Sequence, residues 1–433
     1  MAKKRIIILG AGLAGLSAAW HLERRGIEPV IFEREKEVGG LCHSKSISGF
    51  VFDYSGHLLH FKTRYVFDLI KRLLGHNLVE HRRSAWVYFR GRYIRYPFQA
   101  NLYGLPPRII RECVVGFMRS AAPASRSYAN FLDWIKGNLG EGIAKHFMIP
   151  YNTKFWTVHP RKLTCDWLDA FIPVPDFAQL IRGAVGAKDE ALGYNERFWY
   201  PREGGIRQLP LAFASGIRNI HTACPVAEIN LQKRQLKLES GAKEKFDWLV
   251  STVALPELPF MVKDMPGRMQ GMFAKLKWNS VVNLNLGLDK KDNSGRHWAY
   301  FPQKNICFFR LGFPHNFSDR VAPAGKSSLY AEVAYSPDAP VKKELLSKRI
   351  KNDLVKAGII NSPKEACCDD INDIKYAYPI HDRNYRPVRE GILDFLKRNK
   401  VISCGRYGSW RYFSMEDAIL DARDAVALLS KKA

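Results

Sequence analysis

Arg5-Ile-Ile-Ile-Leu-Gly10-Ala-Gly12-Leu-Ala-Gly15 opens the chain's first regular element. Ile6 to Leu9 are an apolar run bounded by glycine, the pattern of a short strand buried in a parallel sheet. Gly10, Gly12 and Gly15 follow at G-x-G-x-x-G spacing. The first allows a tight turn, the second lets backbone approach a pyrophosphate, and the third lets a helix pack on the strand. Residues 13–25 read as that helix, with Leu13 and Ala14 in its first turn and Ala14, Gly15, Ala18 and Ala19 small enough to meet the sheet. Its N-terminal amides and positive dipole end suit a phosphate.

Working outward, Pro29-Val-Ile-Phe32 reads as the second strand, and Glu33 stands 18 residues after Gly15. A carboxylate there accepts hydrogen bonds from ribose hydroxyls. An acidic Glu33 argues against a 2′-phosphate, and the basic Arg34 beside it works the other way. Strand, glycines, helix, strand and acid in this order define a dinucleotide site, but they do not separate NAD from FAD. Val38-Gly39-Gly40 and Leu41 come next, a glycine pair that lets backbone lie close to a bound group.

The chain has 433 residues, enough for several domains and a large core. Its 67 basic and 42 acidic residues leave a net charge of +25, which favours polyanions, phosphorylated substrates or an anionic membrane surface. None of the eight cysteines falls in a C-x-x-C pair, so neither a zinc site nor a redox dithiol is expected. The opening Met-Ala-Lys-Lys-Arg enters a strand at once, which is not a secretory signal, and no apolar run is long enough to span a bilayer. A cytoplasmic protein, with a peripheral place at the inner face of the membrane as a variant, is the expectation.

Residues 50–54 alternate like a strand and lead to Gly56-His57. Residues 84–97 read as a hairpin turning at Arg90-Gly91, rich in arginine and aromatics. Aromatics flanking a hairpin turn pack more often than they stack on bases, so no specific nucleic acid is expected. From there to about 190 helical patterns dominate, at 106–118 and 128–139. Strand-like runs at 280–288, 298–301, 306–311 and 329–335 suggest an antiparallel sheet; residues 342–357 read as a helix, 401–404 as a last parallel strand, and 414–429 as a closing helix.

Five further motifs carry a resemblance: Gly56-His57; Arg95-Tyr96-Pro97-Phe98-Gln99-Ala-Asn101; Pro150-Tyr-Asn152-Thr-Lys-Phe-Trp156; Tyr200-Pro-Arg-Glu-Gly204-Gly205; and Gly405-Arg406-Tyr-Gly-Ser-Trp410-Arg411-Tyr412. With the opening motif they make nearly the whole chain similar to the FAD-dependent UDP-galactopyranose mutases, within the wider amine oxidase and protoporphyrinogen oxidase group. The resemblance implies an α/β fold: a Rossmann-like FAD domain from 1–80, 193–252 and 386–433, a mostly helical insertion at 81–192, and an antiparallel-sheet substrate domain at 253–385. It selects FAD, in reduced form for a mutase, held by Gly10, Gly12, Leu13, Ala14, Gly15, Glu33, Arg34, Gly39, Gly40, Leu41, Gly56, His57, Gly405, Arg406, Tyr412 and Met415.

By the same resemblance His57 supports reduced flavin and Arg310 meets a substrate diphosphate, with Tyr378 and Tyr412 beside them. Trp156, Asn152, Asn195 and Tyr300 bind the substrate, with Tyr96 and Gln99 toward the nucleotide. The implied reaction interconverts pyranose and furanose forms of a nucleotide-linked sugar through a flavin–sugar adduct, as in cell-surface polysaccharide synthesis. No metal and no protein nucleophile are needed; a reductant such as NAD(P)H is, and an oligomer is compatible.

One departure stands out. The family's second diphosphate arginine corresponds to Phe171 here, and a phenyl ring cannot replace a bidentate guanidinium. Either a neighbour such as Arg182 or Arg197 supplies the cation, or the substrate is of another class. The alternative is an FAD-dependent oxidase or desaturase acting on an amine, a porphyrinogen or a polyprenyl compound. A basic flavoprotein that binds a membrane or nucleic acid without catalysis is the non-enzymatic reading.

Overall fold

A computed structural model describes residues 4–120, 127–168, 172–187 and 196–430. A five-stranded parallel sheet runs in the order Val401–Ser403, Trp248–Ser251, Ile6–Leu9, Val30–Phe32, Ile220–His221. All four residues of the Ile6–Leu9 strand are buried, which is why the sequence there is uninterrupted aliphatic. The Leu13–Glu23 helix packs on this sheet and on the Met415–Ser430 helix, so the two ends of the chain share one core. The third glycine is required by that packing: an added Cβ on Gly15 would collide with the Gly10 carbonyl oxygen.

The second large sheet has seven strands, in the order Ala366–Pro379, Trp278–Leu288, Ser327–Tyr335, Arg310–Gly312, Trp298–Tyr300, Ala85–Phe89, Arg92–Arg95. It is antiparallel except where Trp298–Tyr300 runs parallel to Ala85–Phe89. Two expectations change here. The hairpin grouped with the helical insertion forms the edge of this sheet, its Val87, Phe89 and Ile94 side chains packing into the helical core. The Ala366–Pro379 strand went unread because Asp369, Asp370, Asp373 and Lys375 interrupt it. It is the other edge strand, where charge blocks further pairing.

Against the second sheet pack the helices Pro107–Ser120, Phe131–Ile143, Ile149–Trp156 and Phe177–Val185. They share a core with Val87, Val281 and Ala377 of the second sheet. The Tyr385–Arg398 helix was also unread: Pro387 and Gly391 lower its propensity, yet proline is tolerated in a first turn. Among the described residues no helix is long and apolar enough to cross a membrane.

Candidate active site

Four loops meet at the carboxyl ends of the parallel strands: Gly10 after Leu9, Glu33 after Phe32, Thr252 after Ser251 and Gly405 beyond Ser403. Open parallel sheets bind ligands at this edge. Gly10 takes φ +97°, and Gly12 caps the first helix with no side chain bonded to the helix amides, which leaves the donors a phosphate would take. Gly39 donates its N–H to the Ala11 carbonyl at 2.8 Å, and an added Cβ on Gly40 would lie 3.2 Å from Gly12 Cα. The two glycine segments therefore sit backbone on backbone. Glu33 is buried, and its carboxylate accepts from the N–H of Ala11 at 2.6 Å and of Glu35 at 2.9 Å. Arg34 points away, ion-paired with Glu35 at the surface.

The late segment closes on this turn. Gly405 has φ +80°, an added Cβ would collide with the Ala14 methyl, and its N–H donates to Asp421 at 2.7 Å. Arg406 donates to the Ala377 carbonyl at 2.8 Å and lies over the rings of Tyr378 and Tyr412, 5.1 and 5.5 Å from their centroids. Met415 begins the closing helix and packs on the core behind it. Leu41 packs toward the helical core. The glycine cradle, the uncapped helix terminus and the buried acid fit a dinucleotide such as FAD.

Beside this cradle the second sheet presents a polar rung. Strand register aligns Tyr300 with Arg310, Arg310 with Glu332, and Glu332 with Asn283. Neighbours along a rung share one face of a sheet, so these side chains point the same way. Arg310 grips Glu332 with two nitrogens, Nε and Nη2, the latter at 2.8 Å. Burial opposes charge on Arg310, but the facing Glu332 carboxylate more than offsets it and holds the guanidinium well above its ordinary pKa. Glu332 also accepts from Ser55 Oγ at 2.5 Å, and the Ser55 carbonyl lies 3.1 Å from His57 Nδ1. Burial lowers the His57 pKa to about 4, with Glu332 pulling upward and Arg406 and Arg310 downward, so the imidazole is neutral at pH 7. Gly56 is tight: a Cβ would collide with the Tyr330 hydroxyl.

Aromatic side chains complete the wall. Tyr96 meets Tyr300 at 5.0 Å between centroids, Tyr300 meets Tyr151 at 5.3 Å, and Tyr378 meets Tyr412 at 5.4 Å. Trp156 is fully buried behind Tyr378 and Tyr412, 6.0 Å from each, and its indole N–H has no partner among the described residues. Burial raises the pKa of Tyr300, Tyr378 and Tyr412, and nearby guanidiniums pull the other way; all three remain protonated donors. Asn152 is buried and donates to the Met148 carbonyl at 2.8 Å. Gln99 is buried too; it donates to the Pro173 carbonyl at 2.6 Å and its Oε1 has no partner among the described residues. Asn195 and Phe171 lie outside the described residues.

The structure thus brings His57, Arg310, Tyr300, Tyr378, Tyr412 and Arg406 into one neighbourhood. Of the two arginines considered as stand-ins, Arg197 is ion-paired with Glu80 at the surface and Arg182 lies on the exposed side of the Phe177–Val185 helix. Arg83 is the better placed, 5.2 Å over the Tyr96 ring and close enough to lower the Tyr300 pKa. Sequence reasoning missed it, and it missed Lys154, whose three N–H donors are shared among the carbonyl oxygens of Phe301, Gln303, Ile306 and Phe308, 2.5–3.2 Å from Nζ. That ammonium ties down the loop between Tyr300 and Arg310. Glu332 carried a signal: a lone acid in the middle of the apolar strand Ser-Ser-Leu-Tyr-Ala-Glu-Val-Ala-Tyr. Asp421 carried none, because its partner Gly405 is sixteen residues away and across a turn.

Known proteins extend this geometry. The family model for flavin containing amine oxidoreductases matches residues 13–430. The chain is 22% identical to the zeta-carotene-forming phytoene desaturase of Myxococcus xanthus over 384 residues, covering 76% of this chain and 72% of that one. It is 25% identical to an L-amino-acid oxidase of Crotalus adamanteus over 245 residues, or 54% of this chain and 46% of the oxidase. Among solved structures, a reduced UDP-galactopyranose mutase superposes with a TM-score of 0.94 at 25% identity, covering 100% of this chain and 95% of the other. A putrescine oxidase bound to putrescine shares the fold, with a TM-score of 0.68 at 15% identity over 99% of both chains. From the glycine cradle to the closing helix, then, this chain belongs to the flavin-containing amine oxidoreductase family.

Proposed function

We propose that the chain is a flavin-dependent mutase that interconverts pyranose and furanose forms of a nucleotide-linked sugar of the UDP-galactose type. The observation that carries the reading is the full-length likeness to the reduced mutase, TM-score 0.94, which exceeds the likeness to a putative protoporphyrinogen oxidase from Exiguobacterium, 0.77, and to the putrescine oxidase, 0.68. The site chemistry agrees with it: a cation backed by a buried acid stands among neutral tyrosines beside the cradle. When bound in its reduced form, FAD supplies the nucleophile for the anomeric carbon.

The chain's own residues do the rest. Arg310, with Arg83 in place of the arginine that Phe171 replaces, holds the diphosphate and stabilises its charge as the glycosidic bond breaks. Glu332 fixes the Arg310 fork, so little reorganisation accompanies that step. Tyr300, Tyr378 and Tyr412 donate hydroxyl protons to phosphate or sugar oxygens and exclude water, keeping the opened sugar from hydrolysis. His57, neutral and oriented through the Ser55 carbonyl, offers Nε2 to the cofactor.

The sequence relatives favour a second reading, since a desaturase and amino-acid oxidases match the chain. An aromatic slot whose only rung cation is already neutralised by Glu332 also suits an apolar substrate. One experiment separates the two. Purified holoprotein, oxidised or reduced anaerobically with dithionite, is incubated with UDP-galactopyranose and the products are chromatographed. Ring-form exchange confined to the reduced protein supports the mutase; no exchange in either state, with oxygen uptake on an amine or polyprenyl compound, overturns it.

A further inference from the structure

Half of the exposed large hydrophobics among the described residues fall between positions 103 and 185: Tyr103, Met118, Val174, Phe177 and Val185. Scattered apolar residues need no explanation, but a cluster does. Contacts join three of these residues through one loop and one helix. Tyr103 donates its backbone N–H to the Gly183 carbonyl at 2.8 Å, and an added Cβ on Gly186 would lie 2.8 Å from the Tyr103 ring. Tyr103 and Val185, each 67% exposed, therefore project side by side, with Phe177 at the start of the same helix.

Charge surrounds them. Between positions 90 and 111 the chain has five arginines and no acidic residue. Arg92, from the hairpin, donates to the Gly104 carbonyl at 2.8 Å, so the hairpin tip adjoins Tyr103. Arg90, Arg108 and Arg111 are exposed, and Arg111 lies on the helix that begins directly after the Tyr103 loop. Exposed apolar side chains beside exposed guanidiniums, of which among the described residues only Arg108 is ion-paired, with Glu112, match a bilayer interface: rings and aliphatic tips enter the acyl boundary while the guanidiniums meet lipid phosphates. Nucleic acid would be matched by the cations but not by an exposed valine.

We propose that this face, built from the Arg90–Arg92 hairpin tip, the Tyr103 loop and the Phe177–Val185 helix, docks the protein on an anionic lipid bilayer. The proposal is independent of which substrate the active site takes.

The test is co-sedimentation of full-length holoprotein with vesicles of phosphatidylcholine alone or mixed with phosphatidylglycerol. Partition onto the anionic vesicles and not the neutral ones is expected, weakening as salt is raised. Tyr103→Asp with Val185→Asp, and separately Arg90→Glu with Arg111→Glu, should each lower partition at least about tenfold. Phe260→Asp, at an 80% exposed site elsewhere, should leave it unchanged. Flavin retention verifies the fold, and the surface arginine pair carries the test if the apolar pair does not fold. No binding to anionic vesicles, equal binding to neutral ones, full binding by the folded variants, or binding to RNA alone overturns the proposal.

Discussion

Replacing Glu332 by glutamine leaves the side chain's shape nearly intact and removes its charge. Glu332 is 1% exposed and its partner Arg310 22%, so the pair is shielded from water on most sides. Removing one member of such a pair costs about 3–5 kcal/mol, and the partial exposure of Arg310 puts E332Q near the lower end, about 3 kcal/mol. Arg310→Met should cost a similar amount, because it strands the carboxylate. The double variant leaves no buried charge, so its cost should fall short of the sum by about 2 kcal/mol. Urea unfolding followed by tryptophan fluorescence reads all three.

The same pair predicts ligand binding. In E332Q the guanidinium loses its internal counter-ion, so UDP titrated into the holoprotein should bind several-fold more tightly, while R310M should lose at least about tenfold, or 1.4 kcal/mol. Strictly additive stabilities, or UDP affinities that ignore both substitutions, would refute the reasoning that Arg310 is held by Glu332 and presented to an anion.

Gly405→Ala forces a methyl onto Ala14 at φ +80°, a strain of at least about 1 kcal/mol, and should yield protein depleted of FAD by absorbance after purification. His57→Ala should lower the flavin reduction potential by about 30 mV or more, equivalent to about 1.4 kcal/mol for two electrons; an unchanged potential counts against its role. Burial lowers the pKa of His297 from 6.5 to about 4 and that of His381 to about 3. Their native values lie below the unfolded one, so the stability is complete above pH 6.5 and lost as pH falls toward 4. For His297 the loss is about 3 kcal/mol, read from denaturant unfolding at stepped pH. Lys154→Met leaves the carbonyls of Phe301, Gln303, Ile306 and Phe308 without their donor and should destabilise by about 3 kcal/mol.

The nucleotide-binding half was legible because its signals are local. Aliphatic run, glycine spacing, helix and terminal acid lie within Ile6 to Glu33, and each residue acts on near neighbours. The substrate side is built from long-range pairing, which leaves little local trace. Tyr300, Arg310 and Glu332 form one rung only once three strands align. Arg83 meets Tyr96 across the hairpin, but it comes near Tyr300 only because the Ala85–Phe89 strand joins the second sheet, a pairing that hydrophobic alternation does not reveal. The Ala366–Pro379 strand hid behind its own edge charges. Arg406 and Tyr412 stand out in the sequence through a motif and not through periodicity, because their meeting with Tyr378 depends on where the backbone returns rather than on the local pattern.

The proposed reaction breaks and remakes the bond between the anomeric carbon and its phosphate oxygen with no net redox change. UDP-galactopyranose carrying oxygen-18 in that bridging position, incubated with the anaerobically reduced holoprotein, tests this directly. The mutase account requires the label to scramble into the non-bridging phosphate positions, and to do so only while the flavin is reduced. Ring-form exchange with the label fixed in the bridge, or no exchange while the flavin is turned over by an amine or polyprenyl substrate, would contradict it.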